Sequence, residues 1–281
     1  MSEFPQSTEN IPKGLLENQY GHSVDNLKAR WQYYELAAEP VDMQAAATVA
    51  LGLTGSETLL DVGCSDGSYL LRLRNEFGHK GLIGGLDRYP LPRADITDES
   101  AINFIQGDAA NLPIADGSLD AITSFFMLYH VDDPVQALHE FNRTLKPDGR
   151  LAITTSGHDN KRRHREFEQV LGEYLGLEPP AMFNRTFDAD VALSTIPYVF
   201  ELVDHKIQHT EARITGNNMA AYYESLLSMR TAFNPIPDEQ TFALAVQQFV
   251  VPVIQDEIIR NGYFSDTIDR HLFICKKVSE G

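Results

Sequence analysis

Leu59-Leu60-Asp61-Val62-Gly63-Cys64-Ser65-Asp66-Gly67-Ser68-Tyr69-Leu70 decides the fold. The stretch opens as a short apolar run suited to a buried parallel strand. Behind it, Tyr69, Leu70, Leu71, Leu73 and Phe77 recur at helical spacing. A strand therefore passes into a helix through two glycines. Gly63 and Gly67 lack a Cβ, so the backbone can take positive φ and let a ligand approach, while the free N–H groups of the new helix point into the same space. The loop reads as a nucleotide cradle. A phosphate loop would follow its glycines with Lys-Ser or Lys-Thr, whereas this one carries Asp61 and Asp66 and meets no basic residue before Arg72. Phosphate is a poor guest in such a loop.

Two further segments agree with the first. Gly81-Leu82-Ile83-Gly84-Gly85-Leu86-Asp87 reads as a second strand ending in an acid, at the separation where a doubly wound fold places a carboxylate for ribose hydroxyls. Asp87 is the expected ribose clamp. Ile102-Asn103-Phe104-Ile105-Gln106-Gly107-Asp108-Ala109 is a third strand closed by Asp108. Three acids then gather at one edge of one sheet, where open α/β folds bind their ligands.

The pattern D-x-G-C-S-x-G resembles motif I of the class I methyltransferases that use S-adenosylmethionine, with Ser65 in place of the middle glycine. The stretches "DAANLPIADGSLDAI", "LYHVDD" and "LKPDGRLAI" extend the resemblance, to the small-molecule branch, over roughly residues 57–156. It implies an α/β fold, a doubly wound seven-stranded mostly parallel sheet with an antiparallel last strand. It also implies a cofactor set of Asp61, Gly63, Cys64, Ser65, Gly67, Asp87, Arg88, Asp108, Ala109 and Phe125. Within that set Asp108 would accept from the adenine amino group. The cofactor would be S-adenosylmethionine, leaving as S-adenosylhomocysteine.

Strands and helices alternate from Leu59 to Ser156, as a parallel sheet covered on both faces requires. Ala121–Phe126 is expected as the fourth strand and Leu151–Ser156 as the fifth. Between them lies a helix entered through Asp132 or Asp133 and Pro134, with Val135, Leu138, Phe141 and Leu145 inward. Phe200 to Ile214 and His271 to Lys277 supply later strands, and Asn218–Arg230 and Asp238–Ile259 supply helices, the second expected to kink or split at Pro252. The domain reading is a tail and helical cap over 1–50, then a methyltransferase domain over 51–281 with a helical insertion at about 215–262. Residues up to about Pro12 read as a loose tail. Tyr20, Arg30, Trp31, Tyr33 and Tyr34 are either lid contacts or packing for the cap. The basic run Lys161-Arg162-Arg163-His164-Arg165 is either a solvated helix start paired with Glu166 and Glu168, or a seat for an anionic substrate group.

Forty acidic against 23 basic residues give a net charge of −17, which disfavours nucleic acid and anionic membranes as partners. Cys64 and Cys275 are the two cysteines, far apart in sequence, and point to a reducing, cytoplasmic setting. No apolar run reads as a membrane span. The partner is then a small-molecule acceptor, and the sequence leaves the oligomeric state open.

Methyl transfer from a sulfonium needs in-line alignment, which can account for roughly 7–11 kcal/mol of barrier lowering, and neither a metal nor a covalent intermediate. A hydroxyl or amine acceptor also needs a base. His130, just past the fourth strand, is the candidate, against the plainer role of a helix-start residue bonded to its loop. Two rivals remain. A dehydrogenase on the same architecture would want the glycine that Ser65 replaces, and a binding protein could keep the cofactor without transfer.

Overall fold

A computed structural model describes residues 25–90, 92–180 and 186–278. Seven strands, β1 Leu59–Val62, β2 Ile83–Asp87, β3 Ile102–Gln106, β4 Leu119–Phe125, β5 Leu145–Ser156, β6 Phe200–Ile214 and β7 Phe264–Lys277, form one sheet in the order β3-β2-β1-β4-β5-β7-β6. β1 to β5 run parallel, and β7 lies antiparallel between β5 and β6. The strand order reverses beside β1, between it and β4. A crevice opens there at the carboxyl ends of the strands.

Side chains alternate across β1, so Leu60 and Val62 enter one core and Leu59 the other. On the first face they meet Leu138 and Phe141 of a helix at Pro134–Thr144, whose start is capped by Asp133 accepting from the Gln136 N–H at 2.9 Å. On the second face Tyr69, Leu70 and Leu73, from the helix Ser68–Asn75, pack with Ile83. A third core lies outside the sheet proper. Tyr33 from the helix Asp25–Glu35, Phe167 and Leu171 from Arg162–Leu175, Tyr222 and Leu226 from Met219–Ser228, and Ile254 from Val251–Asn261 join Phe264 at the start of β7. Each large apolar side chain buried in this way contributes roughly 1.5–3 kcal/mol, so the cap is held on the sheet by packing.

Several expectations change. Of the helical reading of residues 15–50, the part from residue 25 onward is two helices, Asp25–Glu35 and Met43–Ala50, separated by a turn where Ala37 bridges to Ala212, and residues 15–24 lie outside the described residues. The tail and Tyr20 lie outside the described residues. β4 begins two residues earlier than expected, at Leu119, and ends at Phe125; β5 begins at Leu145, with Asp148 at φ +64° and a register shift opposite Leu119/Ala121. The turn expected over 146–150 is thus an irregular strand start. β7 begins at Phe264, seven residues before His271. The interruption expected at Pro252 takes the form of a π turn, Val246–Val250, just ahead of it, and Pro252 falls in the first turn of the α-helix that follows. The resulting helix, Glu239–Asn261, has 23 residues and is long and apolar enough by length and composition to cross a membrane, which corrects the expectation that no such run exists. Its Phe242, Val246, Val250 and Ile254 are buried in the third core.

Candidate active site

The loop after β1 is built from left-handed backbone. Gly63, Ser65 and Gly67 have φ of +81°, +49° and +77°. The Gly63 N–H donates to the Leu86 carbonyl at 2.7 Å, which fastens the loop to the end of β2. Ser65 adopts the positive φ that glycine takes freely, so the missing glycine leaves a modest strain and an intact loop. Ser65→Gly exchanges about 1–2 kcal/mol of left-handed strain for about 0.5–1 kcal/mol of glycine entropy. The expected net is a gain of about 0 to 1.5 kcal/mol in urea unfolding, with ligand affinity kept; a clear loss of stability would mean that the serine side chain holds the loop.

The acids of the cradle differ in environment. Asp87 Oδ2 accepts the Ser65 N–H and Oδ1 the Tyr89 N–H, both at 2.8 Å. This fixes the carboxylate and leaves each oxygen a further lone pair. Asp61 is buried beneath the loop with Oδ1 accepting from Thr123 Oγ1 at 2.7 Å; burial, reinforced by the charge of Asp87, pushes its carboxyl up to about 7. Asp108 is exposed and pairs with Arg88 Nη2 at 3.1 Å, and its Oδ1 accepts the Ala110 N–H. Asp66 turns inward and caps the following helix, accepting the Ser68 N–H at 3.0 Å. Cys64 is explained by size. A Cβ on Gly85 would lie 2.5 Å from its Sγ, and burial pushes the thiol pKa well above its usual range, so it is no nucleophile.

A cavity of about 830 Å³ joins this cradle to the cap. Asp61, Gly63, Cys64, Ser65, Asp87, Arg88, Asp108, Ala109, Phe125 and His130 all line it. Gly67 does not. Its absent side chain makes room for packing, since a Cβ there would sit 2.5 Å from Phe104 Cζ. His130 stands half-buried in a short turn, Leu128–His130, edge-on to Tyr129 with ring centroids 4.5 Å apart. Phe126, at φ +52°, stacks on Tyr34 with centroids 6.3 Å apart and planes within 17°. A bulky residue in left-handed backbone at a strand end is strained, and such strain concentrates at functional sites.

The cap supplies the other wall. Trp31 and Tyr34 line the cavity, whereas Tyr33 is core, its hydroxyl donating to the Thr267 carbonyl at 3.3 Å. Nothing is described of the Arg30 side chain. The basic run divides by face. Arg163 pairs with Glu257 at 2.7 Å and Glu166 at 3.0 Å, and Arg162 with Glu166 at 3.7 Å, while Lys161, His164 and Arg165 face the cavity. His164 is buried against Tyr222 OH at 3.1 Å and Asp266 Oδ2 at 3.6 Å, and burial lowers its pKa. Asn160 and Arg270 also line the cavity without having been singled out in the sequence. The signal for Arg270 was a charged cluster, Asp269-Arg270-His271, running into an apolar strand.

Comparison with known proteins places residues 60–153 under a family profile described as a methyltransferase domain. The demethylmenaquinone methyltransferase of Renibacterium salmoninarum is 42% identical over 85 residues, 30% of this chain and 35% of that protein, so the chain spans about a third of that relative's length. Among solved structures, the [4+2]-cyclase SpnF has a TM-score of 0.56 at 19% identity, covering 94% of this chain and 97% of that one. The phosphoethanolamine N-methyltransferase 2 of Haemonchus contortus, solved with phosphomonomethylethanolamine and S-adenosylhomocysteine, has a TM-score of 0.54 at 15% identity, covering 96% of this chain and 61% of that one. At these identities the structural likeness speaks for the fold alone.

Proposed function

We propose that the chain, whose residues 60–153 match a family profile described as a methyltransferase domain, is a class I S-adenosylmethionine-dependent methyltransferase that transfers a methyl group from S-adenosylmethionine to an O, N or C atom of a small organic acceptor. The observation that carries the reading is the convergence of Asp61, Asp87 and Asp108, from three adjacent strand ends, on one cavity. The donor set fits the cofactor. Asp87 keeps acceptor capacity for a diol, Asp108 offers a carboxylate at the rim, and Asp61 and Asp87 favour a cationic centre over a phosphate. The cofactor supplies an electrophilic methyl group on a positively charged sulfur. The chain's own share is to bind, to orient and to exclude water, and Trp31, Tyr34 and Phe126 roof the cavity for that purpose. His130 is the side chain we assign to take the acceptor's proton, and His130→Ala should flatten the acid limb of the pH–rate profile if it does. The net charge of −17 supports an enzyme working without nucleic acid or an anionic membrane surface, and the unpaired Cys64 and Cys275 support a reducing, cytoplasmic setting.

Binding tests the reading directly. Thermal unfolding with S-adenosylmethionine, S-adenosylhomocysteine and NAD in turn should show a rise with the first two only. A ligand at about 100 times its dissociation constant adds roughly 2.7 kcal/mol. A rise with NAD alone would put a dehydrogenase first. Affinity for the sulfonium should also strengthen from pH 6 to pH 8 relative to the uncharged thioether product, by up to about tenfold, because a cation favours the ionised form of Asp61. Parallel pH profiles for the two ligands would sink the electrostatic part of the argument. The likeness to a [4+2]-cyclase keeps a second reading, cofactor binding without methyl transfer, which turnover with an acceptor panel would separate.

A further inference from the structure

Resting on the methyltransferase reading, we propose that the cap-side wall of the cavity binds a negatively charged oxygen of the acceptor, so that the substrate class is a planar, largely apolar compound bearing a carboxylate or an acidic hydroxyl. The centre of this wall is Arg270. Its side chain is only 7% exposed, and its donors end on neutral oxygens, with Nε reaching Gln208 Oε1 at 2.8 Å and Nη2 reaching that oxygen and the Val41 carbonyl at 3.0 Å. Arg165 repeats the arrangement: its guanidinium donates to the carbonyls of Asn160 and His158. Among the described residues no carboxylate forms an ion pair with either guanidinium. Asp42, the acid whose charge reaches Arg270, is already paired with Arg72 at 2.5 Å.

A buried cation among neutral partners costs free energy unless an anion joins it. In a chain carrying 40 acidic residues such an arrangement is out of keeping with the surroundings. Lys161 adds a third cation to the same wall, its Nζ 4.9 Å from the centre of the Tyr34 ring, and Arg270 Cζ lies 4.4 Å from that ring. Tyr34 in turn stacks with Phe126, and Trp31, Tyr129 and Met229 complete an apolar slot. Among the described residues, the wall's own acids are Asp42, already paired with Arg72, Glu35, which is exposed, and Glu168. Flat apolar surface beside fixed guanidinium donors is the chemistry that recognises an aromatic or conjugated oxyanion.

Calorimetry in saturating S-adenosylhomocysteine, with matched probes, tests this. 4-Hydroxybenzoate is set against 4-hydroxybenzamide for a carboxylate, and 4-nitrophenol at pH 8 against 4-nitroanisole for an acidic hydroxyl. Benzylamine serves as the cationic control. In at least one pair the anionic member should bind roughly 10- to 100-fold tighter than its neutral partner, the scale of one charge-assisted hydrogen bond. Arg270→Gln should erase that preference, and Arg165→Gln, at a less buried position, should reduce it with the thermal midpoint kept. Equal or tighter binding of the neutral or cationic probes overturns the proposal, as does the absence of binding by any anionic probe. So does a loss of S-adenosylhomocysteine affinity in Arg270→Gln that 5′-methylthioadenosine, which has no carboxylate, does not share, because the guanidinium would then serve the cofactor. Should S-adenosylhomocysteine itself fail to bind the unaltered chain, the methyltransferase reading falls, and titration of the probes alone still reads the anion preference.

Discussion

Replacing Gly67 with valine is expected to remove about 2 to 5 kcal/mol of stability and to abolish binding of S-adenosylhomocysteine. The loss has two parts. At φ +77° any side chain meets left-handed strain of about 1–2 kcal/mol, more for a β-branched residue. The new Cβ would also lie 2.5 Å from Phe104 Cζ and 2.9 Å from Ile96 Cδ1, and overpacking of that kind costs typically about 1–3 kcal/mol. Phe104 sits on β3, so relief of the clash displaces the strand that leads to Asp108. Binding and stability should therefore fall together. Gly78, at φ +64° with nothing within 4 Å of its built Cβ, is the control. Gly78→Ala carries backbone strain without the clash and should cost about 1–2 kcal/mol with affinity intact. Urea unfolding and calorimetry on both variants give the comparison. If Gly67→Val behaved like Gly78→Ala, β3 would not depend on the glycine.

The cradle was legible because its parts are local in sequence. Gly63, Ser65 and Asp87 fall within two strand ends, and period and turn chemistry are enough to set them beside each other. The same holds for the helix behind Pro134 and for β6, whose alternation marks Phe200–Ile214 as the structure has it. The acceptor wall was not legible. Arg270 meets Val41 across 229 residues, a contact that no local pattern encodes. Its strand was half missed for a related reason. Ser265, Asp266, Thr267 and Asp269 look like a polar loop, yet β7 is flanked on both sides by β5 and β6. The polar side chains are paid for by partners elsewhere: Asp266 Oδ1 takes the N–H of Arg163 at 2.8 Å and Oδ2 that of His164 at 3.1 Å, and the Asp269 N–H reaches Asn160 Oδ1 at 3.0 Å. Alternation of apolar residues marks strands that face a core. A strand whose polar side chains cap neighbouring helices escapes that signal.

Asp61→Asn is expected to stabilise the ligand-free protein by up to about 4 kcal/mol at pH 8 and by almost nothing at pH 3. Burial drives the shift, and the charge of Asp87 adds to it, so that the carboxyl titrates at about 7 in the folded chain against 3.8 for the free side chain. Between those two values the folded state holds a proton that the unfolded state has released. Stability therefore falls as pH rises from about 4 to about 7 and is flat beyond. A difference near 3 pK units corresponds to about 4 kcal/mol at 1.36 kcal/mol per unit, an upper figure because a buried site can relax around its charge. Asparagine keeps an oxygen to accept from Thr123 Oγ1 and carries no charge to desolvate. The same substitution should weaken binding of the sulfonium cofactor more than that of its thioether product, because only the first gains from the negative charge. Denaturant midpoints of both proteins from pH 3 to pH 8 decide the matter: parallel curves would mean that Asp61 ionises freely in the folded state. A gap that opens with rising pH would mean that the chain keeps, beneath its glycine loop, a carboxylate that costs stability until a cationic ligand arrives.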